Sequence, residues 1–461
     1  MGGLIWIITA VLTGCLSIYC WTDLRAVNPK WARLLLIAGA GAAAGIGLTS
    51  CIFFLTGPLL KIPAAAPVLE LAILASAGYR SFRLRSQPPE PSPQARSHLS
   101  LLLIAGLVVI VGVGIAAFST AWDLNPQGNW DAWAIWNLRA RFLVSGSDLA
   151  ARAWSPALGA STHAEYPLLL SSFVARCWYL SQSSSSAVPA ATAFVFFLSL
   201  IAVVTGGVTV LRGPALGLLA GLALAATPSL LREVPAQYAD VPLACYMAAA
   251  LILVLIDRPL LAGIFAAFAA WTKDEGVLFL VVFLAAIAIV RRNALRTAVA
   301  GALPVLLLNA GFKLFLARGN SSLLSASLPG AVHRIFDPSR FATVLSAFGR
   351  EFVHMSIGWY HPILPLIVLA VALGPDWNKH RREIFLCAAV FLGLLLGDFG
   401  VYLVTSNDLA WQLQTSLNRI LLQLWPLLVL VVLLCLRTTV EFAAAPSPAA
   451  PRARKATKKK R

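Results

Sequence analysis

Charge is scarce in this chain. Only 12% of its 461 residues are Asp, Glu, Lys or Arg, whereas 59% are apolar; a soluble domain carries roughly twice that share of charge. A water-soluble enzyme of this length is excluded on that count alone. Internal repeats of about 20–50 residues are also missing, which argues against a solenoid. No disulfide framework is expected. Of the seven cysteines, Cys15, Cys20, Cys51, Cys245, Cys387 and Cys435 fall in or beside apolar runs, and only Cys177 lies in a hydrophilic segment.

What is present is a series of apolar runs. Crossing about 30 Å of hydrocarbon at 1.5 Å per residue takes about 20 residues. About thirteen candidate spans begin near Gly3, Arg33, Ala64, Leu99, Ala187, Gly213, Val241, Pro259, Gly276, Thr297, Tyr360, Glu383 and Ile420. The pattern predicts an all-α polytopic membrane protein. Basic residues cluster in alternate loops: Arg25, Lys30 and Arg33; Arg80, Arg83, Arg85 and Arg96; Arg212; Arg258; Arg291, Arg292 and Arg296; Lys379, Arg381 and Arg382. One weave puts all of these in the cytoplasm, with the N-terminus outside and the C-terminus inside. Leu12-Thr13-Gly14-Cys15 faintly resembles a lipoprotein cleavage site but lacks a basic n-region, so the first span is read as an uncleaved anchor.

The net charge of +17 needs no nucleic acid to explain it. From Thr438 onward there are seven basic residues and one acidic, and the remaining excess is mostly orientation signal. The organisation expected is an N-terminal set of helices (1–98), a core (99–290) with a large outer loop (122–186), a C-terminal region (291–437) with a second outer loop (318–359), and a disordered basic cytoplasmic tail (438–461) lying against anionic lipid.

The outer loops hold the informative polar residues. The first reads WDLNPQGNWDAWAIWNLRARFLVSGSDLAARAW, then STHAEYPLLLSSFVARCWYL. Its tryptophans suit either an aromatic belt or sugar stacking, and Trp130 to Phe142 show no clean apolar face at helical spacing. In the second, Asp337 can cap a helix with Pro338 at its first position; Phe341, Val344, Leu345, Phe348 and Phe352 then follow at the spacing of an interfacial amphipathic helix. Two spans are short, Val241–Ile256 at about 24 Å and Pro259–Thr272 at about 21 Å. Their outer ends, Asp240 and Lys273-Asp274-Glu275, should sit below the membrane surface and line a recessed polar pocket.

The charged set on the outer side is Asp131, Glu165, Asp240, Lys273, Asp274, Glu275 and Arg419. Each has a plain structural reading. Asp131 follows Asn129, a fitting N-cap; Asp240, Asp274 and Glu275 sit in first helical turns; Lys273 and Arg419 can snorkel to headgroups. As a set they suit sugar transfer from a phosphate-linked lipid, because a carboxylate can take the acceptor's proton and cations can balance a departing phosphate. A divalent cation held by two carboxylates could do the cations' work, but no ligand spacing demands one. Asp398, within the twelfth span, is expected to make a structural hydrogen bond.

These motifs resemble the GT-C class of membrane glycosyltransferases, in particular bacterial relatives of protein mannosyltransferases, aminoarabinose transferases and lipopolysaccharide galacturonosyltransferases. The similar stretches are NWDAWAIWNLRARFL around Asp131, His163-Ala164-Glu165-Tyr166-Pro167-Leu168, Tyr238-Ala239-Asp240-Val241-Pro242-Leu243, Trp271-Thr272-Lys273-Asp274-Glu275-Gly276, and Asn418-Arg419-Ile420. They cover residues 99–290 best. The resemblance implies a GT-C-like fold and an inverting displacement from a polyprenyl-phosphate sugar to a glycan, lipid or protein acceptor at the bacterial plasma membrane. Asp131 would be the base, Lys273 and Arg419 would lie near the lipid phosphate, and His163, Glu165, Tyr166, Asp240 and Glu275 would bind substrate. Where many members carry Asp-Glu, this chain has Asp131-Ala132, which weakens a metal role there. Four spans, three more than the usual one, precede the catalytic loop. The rival classes are a polymerase or ligase of lipid-linked oligosaccharide and a secondary transporter; the paired interrupted helices common in transporters are not seen.

Overall fold

The computed structural model describes residues 2–84, 98–318, 328–355 and 361–438. Arg85, Arg96, Tyr360, parts of the second outer loop and the basic tail beyond 438 lie outside them. Among the described residues all regular structure is helical, and all seven cysteines are free.

The chain opens with α1 (Gly2–Trp21), α2 (Lys30–Phe54), α3 (Ala65–Leu84) and α4 (His98–Leu124). The first outer loop folds into α5 (Asn137–Val144), the single turn α6 (Ser147–Ala150) and α7 (Leu169–Ser181). Then come α8 (Ala187–Arg212), α9 (Pro214–Ala225), α10 (Pro228–Ala236), α11 (Asp240–Leu255), α12 (Pro259–Thr272), α13 (Asp274–Val290) and α14 (Arg292–Gly311). The second outer loop supplies α15 (Leu328–Ile335) and α16 (Pro338–His354); α17 (Ile363–Leu373), α18 (Arg381–Val404) and α19 (Leu409–Cys435) complete the chain.

Seven helices are long and apolar enough to cross a membrane, or eight if α9 and α10, bent by 58°, form one span. The protein is therefore a helical membrane protein, although length and composition support fewer spans than the thirteen expected. The difference has a physical cause. Helices α11 and α12 have only 16 and 14 residues, and every residue of α11 is buried. Neighbours enclose α11 on all sides, and its 16 residues fall short of the length that crosses a membrane unaided. Helix α17 has 11 residues, and α3 carries Glu70, Arg80 and Arg83.

Close packing rests on small residues, the usual device where lipid is as apolar as the helix faces. A Cβ on Gly45 of α2 would lie 1.9 Å from the Ala10 carbonyl oxygen of α1, and one on Gly263 of α12 would lie 1.8 Å from that of Ala298 in α14. Neither contact tolerates a side chain.

The first three helices brace the outer loop. Arg176 of α7, fully buried, donates from Nε to Glu70 Oε1 of α3 at 2.6 Å and from Nη1 to the Trp6 carbonyl of α1 at 2.9 Å. Ser50 of α2 bonds the Leu169 carbonyl at 2.6 Å. Helix α7 in turn supports the loop, with Ser171 Oγ on the Trp136 carbonyl at 2.9 Å. This gives the first three helices a structural job.

Charges sort between the two ends of the bundle. At one end Arg291 bridges Asp257 (2.7 Å) and Glu383 (3.4 Å), and Arg212 bonds the Leu436 carbonyl. At the other, Arg334 caps the Val404 carbonyl at 2.9 Å, while Arg340 caps those of Tyr402 and Thr405 at 2.9 and 3.0 Å. Helix α16 begins as expected: the Asp337 carboxylate accepts from the Ser339 and Arg340 amides at 2.9 and 3.3 Å, with Pro338 at the first position. Val344 and Phe348 pack inward, whereas Phe341 and Leu345 stay exposed, as an interfacial helix requires. Asp337→Ala should cost about 1 kcal/mol through loss of the cap, read as a small drop in the thermal midpoint of the solubilised protein with its helical content unchanged.

Candidate functional site

Four chain segments far apart in sequence meet at one ion-pair network. Arg419, two turns before Pro426 on α19, directs Nη2 to Asp131 Oδ2 at 2.6 Å and Nε to Asp240 Oδ2 at 3.0 Å. Lys273, extended between α12 and α13, places Nζ 3.1 Å from Asp240 Oδ1 and 2.7 Å from Glu275 Oε1. Gln423, one turn beyond Arg419, donates to Asp240 Oδ1. The Arg419 guanidinium also lies over the Tyr238 ring, 4.3 Å from its centroid. So Asp131, Asp240, Lys273, Glu275 and Arg419 form one cluster.

The carboxylates play different parts. Asp240 is 1% exposed and receives hydrogen bonds from Lys273, Arg419 and Gln423. It is an anchor for cations: Oδ1 accepts from Lys273 and Gln423, and Oδ2 accepts from Arg419. Asp131 makes one ion pair, and its side chain keeps 18% exposure. Glu275 Oε2 is buried without a hydrogen-bond partner among the described residues, as is Glu233 Oε2 nearby on α10. Lys273 and Arg419 do not snorkel: each reaches inward, because a buried carboxylate outcompetes a screened headgroup. The charges expected to line a recessed pocket close on one another.

Local geometry explains Asp131. Asn129, the expected N-cap, instead accepts the Asn125 side-chain amide at 3.0 Å. The segment Ala132–Trp136 that follows Asp131 is π-helical, and such turns recur at functional sites. The wider turn breaks the 3.6-residue rhythm, which is why no apolar face emerged over Trp130 to Phe142. Trp130 and Trp133 are exposed and pair edge-on at 4.5 Å, whereas Trp136, Trp154 and Trp178 are buried. The latter three belong to the core, not to an aromatic belt.

His163, Glu165 and Tyr166 form a second cluster beside the first. His163 Nδ1 lies 3.3 Å from Glu165 Oε1 and its ring stacks on Tyr166 at 4.5 Å. Lys313 Nζ joins this cluster to Asp274 Oδ1 at 2.6 Å and to the Glu165 carbonyl at 2.5 Å. Fully buried Arg139 holds the strand of loop in place through the Ala153, His163, Ala164 and Tyr166 carbonyls. Burial raises the Glu165 carboxyl, but the His163 hydrogen bond and the Lys313 charge outweigh it and hold the group below its ordinary value. Burial, followed by the Glu275 carboxylate, drives the Tyr166 hydroxyl well above its ordinary value. Tyr166 therefore stays a protonated donor between the two clusters.

Several of these residues escaped sequence reading. Gln423 follows Arg419 by four positions on one helix face, a spacing that could have found it. Lys313, Glu233 and Arg139 offered no such signal. Asp398 is buried but has no hydrogen bond among the described residues, so the structural bond expected for it is not found there. Among the described residues no three His, Cys, Asp or Glu side chains converge as metal ligands.

Compared with known proteins, the chain matches no family model, no curated protein and no solved structure.

Proposed function

We propose that this protein is a membrane glycosyltransferase of the GT-C class, moving a sugar from a polyprenyl-phosphate donor to a glycan, lipid or protein acceptor at the outer face of the bacterial plasma membrane. One observation carries the reading: a partly exposed carboxylate, Asp131, faces Arg419, which a buried carboxylate, Asp240, holds in place together with Lys273. Asp131 Oδ2 takes the acceptor hydroxyl's proton as its oxygen attacks the anomeric carbon. The bond from that carbon to the phosphate oxygen breaks, and its electron pair leaves on the phosphate. Arg419 and Lys273 balance the charge that develops there, and attack from the far face inverts the configuration. Tyr166, a neutral donor, orients a sugar hydroxyl.

In this reading the short helices complete the thirteen-span weave, and the end bearing Asp257, Arg291 and Glu383 is cytoplasmic. The N-terminus is then outside and the C-terminus inside. A divalent cation would compete with Arg419 and Lys273 for the same carboxylate oxygens.

The test is mass spectrometry of extracted polyprenyl-phosphate sugars in cells lacking the protein. One lipid-linked sugar should accumulate, and it should clear when the wild-type chain is restored. If no such species changes although the restored protein inserts normally, the donor reading is abandoned and transport is tested next.

A further inference from the structure

The proposed reaction sets two demands on Arg419 and Asp131 that the structure does not meet at once. Asp131 must be free to accept a proton, yet its Oδ2 is held by Arg419 Nη2 at 2.6 Å. That oxygen is thus engaged while the pair stands. Arg419 must face the donor phosphate, yet the Nε–Nη2 edge that would grip it two-pronged is turned to Asp240 and Asp131.

The two carboxylates are not equally exchangeable. Asp240 has no side-chain exposure and holds Lys273 and Gln423 as well as Arg419. Releasing it would leave buried charges on both sides of the contact. Asp131 has the one ion pair, keeps 18% side-chain exposure and stands beside exposed Trp130. The outer contact is thus the one an incoming anion can displace, and the Nε contact keeps the arginine aimed while it does so. The cluster carries three carboxylates (Asp131, Asp240, Glu275) against two cations (Lys273, Arg419). An anionic substrate is therefore disfavoured until one carboxylate is released from competition.

We infer that the Asp131–Arg419 pair is the resting state of a site with compulsory order. The phosphate of the lipid donor displaces Asp131 from Arg419 Nη2, and that exchange alone frees Asp131 to serve as base. Donor binds first, and acceptor is deprotonated only in its presence. An empty site thus holds no free base beside the sugar-binding space, which guards against hydrolysis. The inference rests on the glycosyl-transfer reading.

The exchange predicts that damaging the base improves donor binding. The probe is undecaprenyl phosphate, which carries the phosphate but no sugar and cannot turn over, titrated against the full chain in nanodiscs. Asp131→Asn should bind it about tenfold more tightly than wild type, about 1.4 kcal/mol. Arg419→Gln should bind it at least about tenfold more weakly. In the Arg419→Gln background, adding Asp131→Asn should change nothing, because the competitor acts only through the arginine; this cycle isolates the contact.

Equal or weaker binding by Asp131→Asn, in protein that melts at the wild-type temperature, overturns the exchange and leaves the transferase reading standing. So does tightening that persists without Arg419, which would be a general relief of negative charge. If Asp131→Asn does not fold, Asp131→Ser carries the same comparison. If wild type prefers undecaprenyl phosphate no more than uncharged undecaprenol, the donor reading itself fails, and the exchange with it.

Discussion

Under the proposed transferase reading, Asp131→Asn should lower the rate of sugar transfer by about 10²–10⁴-fold, the usual contribution of a positioned general base. Asparagine keeps the shape and one acceptor oxygen toward Arg419, so the turn at Ala132–Trp136 and the packing around it are preserved. What it loses is the capacity to take a proton. The measurement is initial rate against donor concentration for purified protein, separating kcat from KM. The expected split is unusual: kcat collapses, while KM for the donor falls or holds, since a neutral amide competes for Arg419 more weakly than a carboxylate. A variant retaining activity within about threefold would remove Asp131 from the chemistry. The base would then be sought at Glu275, whose Oε2 is buried without a partner among the described residues beside Lys273.

The elements that proved legible in the sequence share a short physical range. Asp337 caps its helix through amides two and three residues away, so residue types at adjacent positions sufficed to read it. The short helices ending at Asp240 and Lys273 were visible from the interruption of apolar runs by charge. That charges at such ends need partners also followed from the sequence, because isolated charge at that depth is expensive. Which partner each would choose did not follow. Asp131 and Arg419 are 288 residues apart, and Asp240 and Arg419 are 179 apart. Nothing in the local pattern distinguishes an arginine that snorkels outward from one that turns inward. The Glu70–Arg176 pair, spanning 106 residues, was missed for the same reason. The π-turn after Asp131 was illegible in another way, since an extra residue per turn scrambles the periodicity used to read a helix at all. The span count differs because runs of apolar residues do not reveal where helices stop: α11 and α12 end after 16 and 14 residues, short of the length that crosses a membrane unaided.

Asp240→Ala should destabilise the protein more than any other change at the site, by about 3–5 kcal/mol, the cost of stripping the partner from a buried ion pair. The substitution leaves Lys273 with Glu275 as its one ion-pair partner, Arg419 with Asp131 alone, and the Gln423 amide without an acceptor. Three segments lose their common contact: α11, which carries Asp240, α19, which carries Arg419 and Gln423, and the α12–α13 junction at Lys273. Asp240→Asn is no safe substitute, because its amide nitrogen would meet Lys273, Gln423 or Arg419, all donors. The thermal midpoint of the solubilised protein should fall by an amount on the order of 10 °C. Comparison with Asp131→Asn separates the roles, since that variant should melt near wild type while failing in transfer. An unchanged midpoint for Asp240→Ala would mean that water takes over the cations' solvation. The site would then be a wet cavity in which Asp240 is free to meet substrate, and the division of labour between an anchoring and a reacting carboxylate would have to be withdrawn.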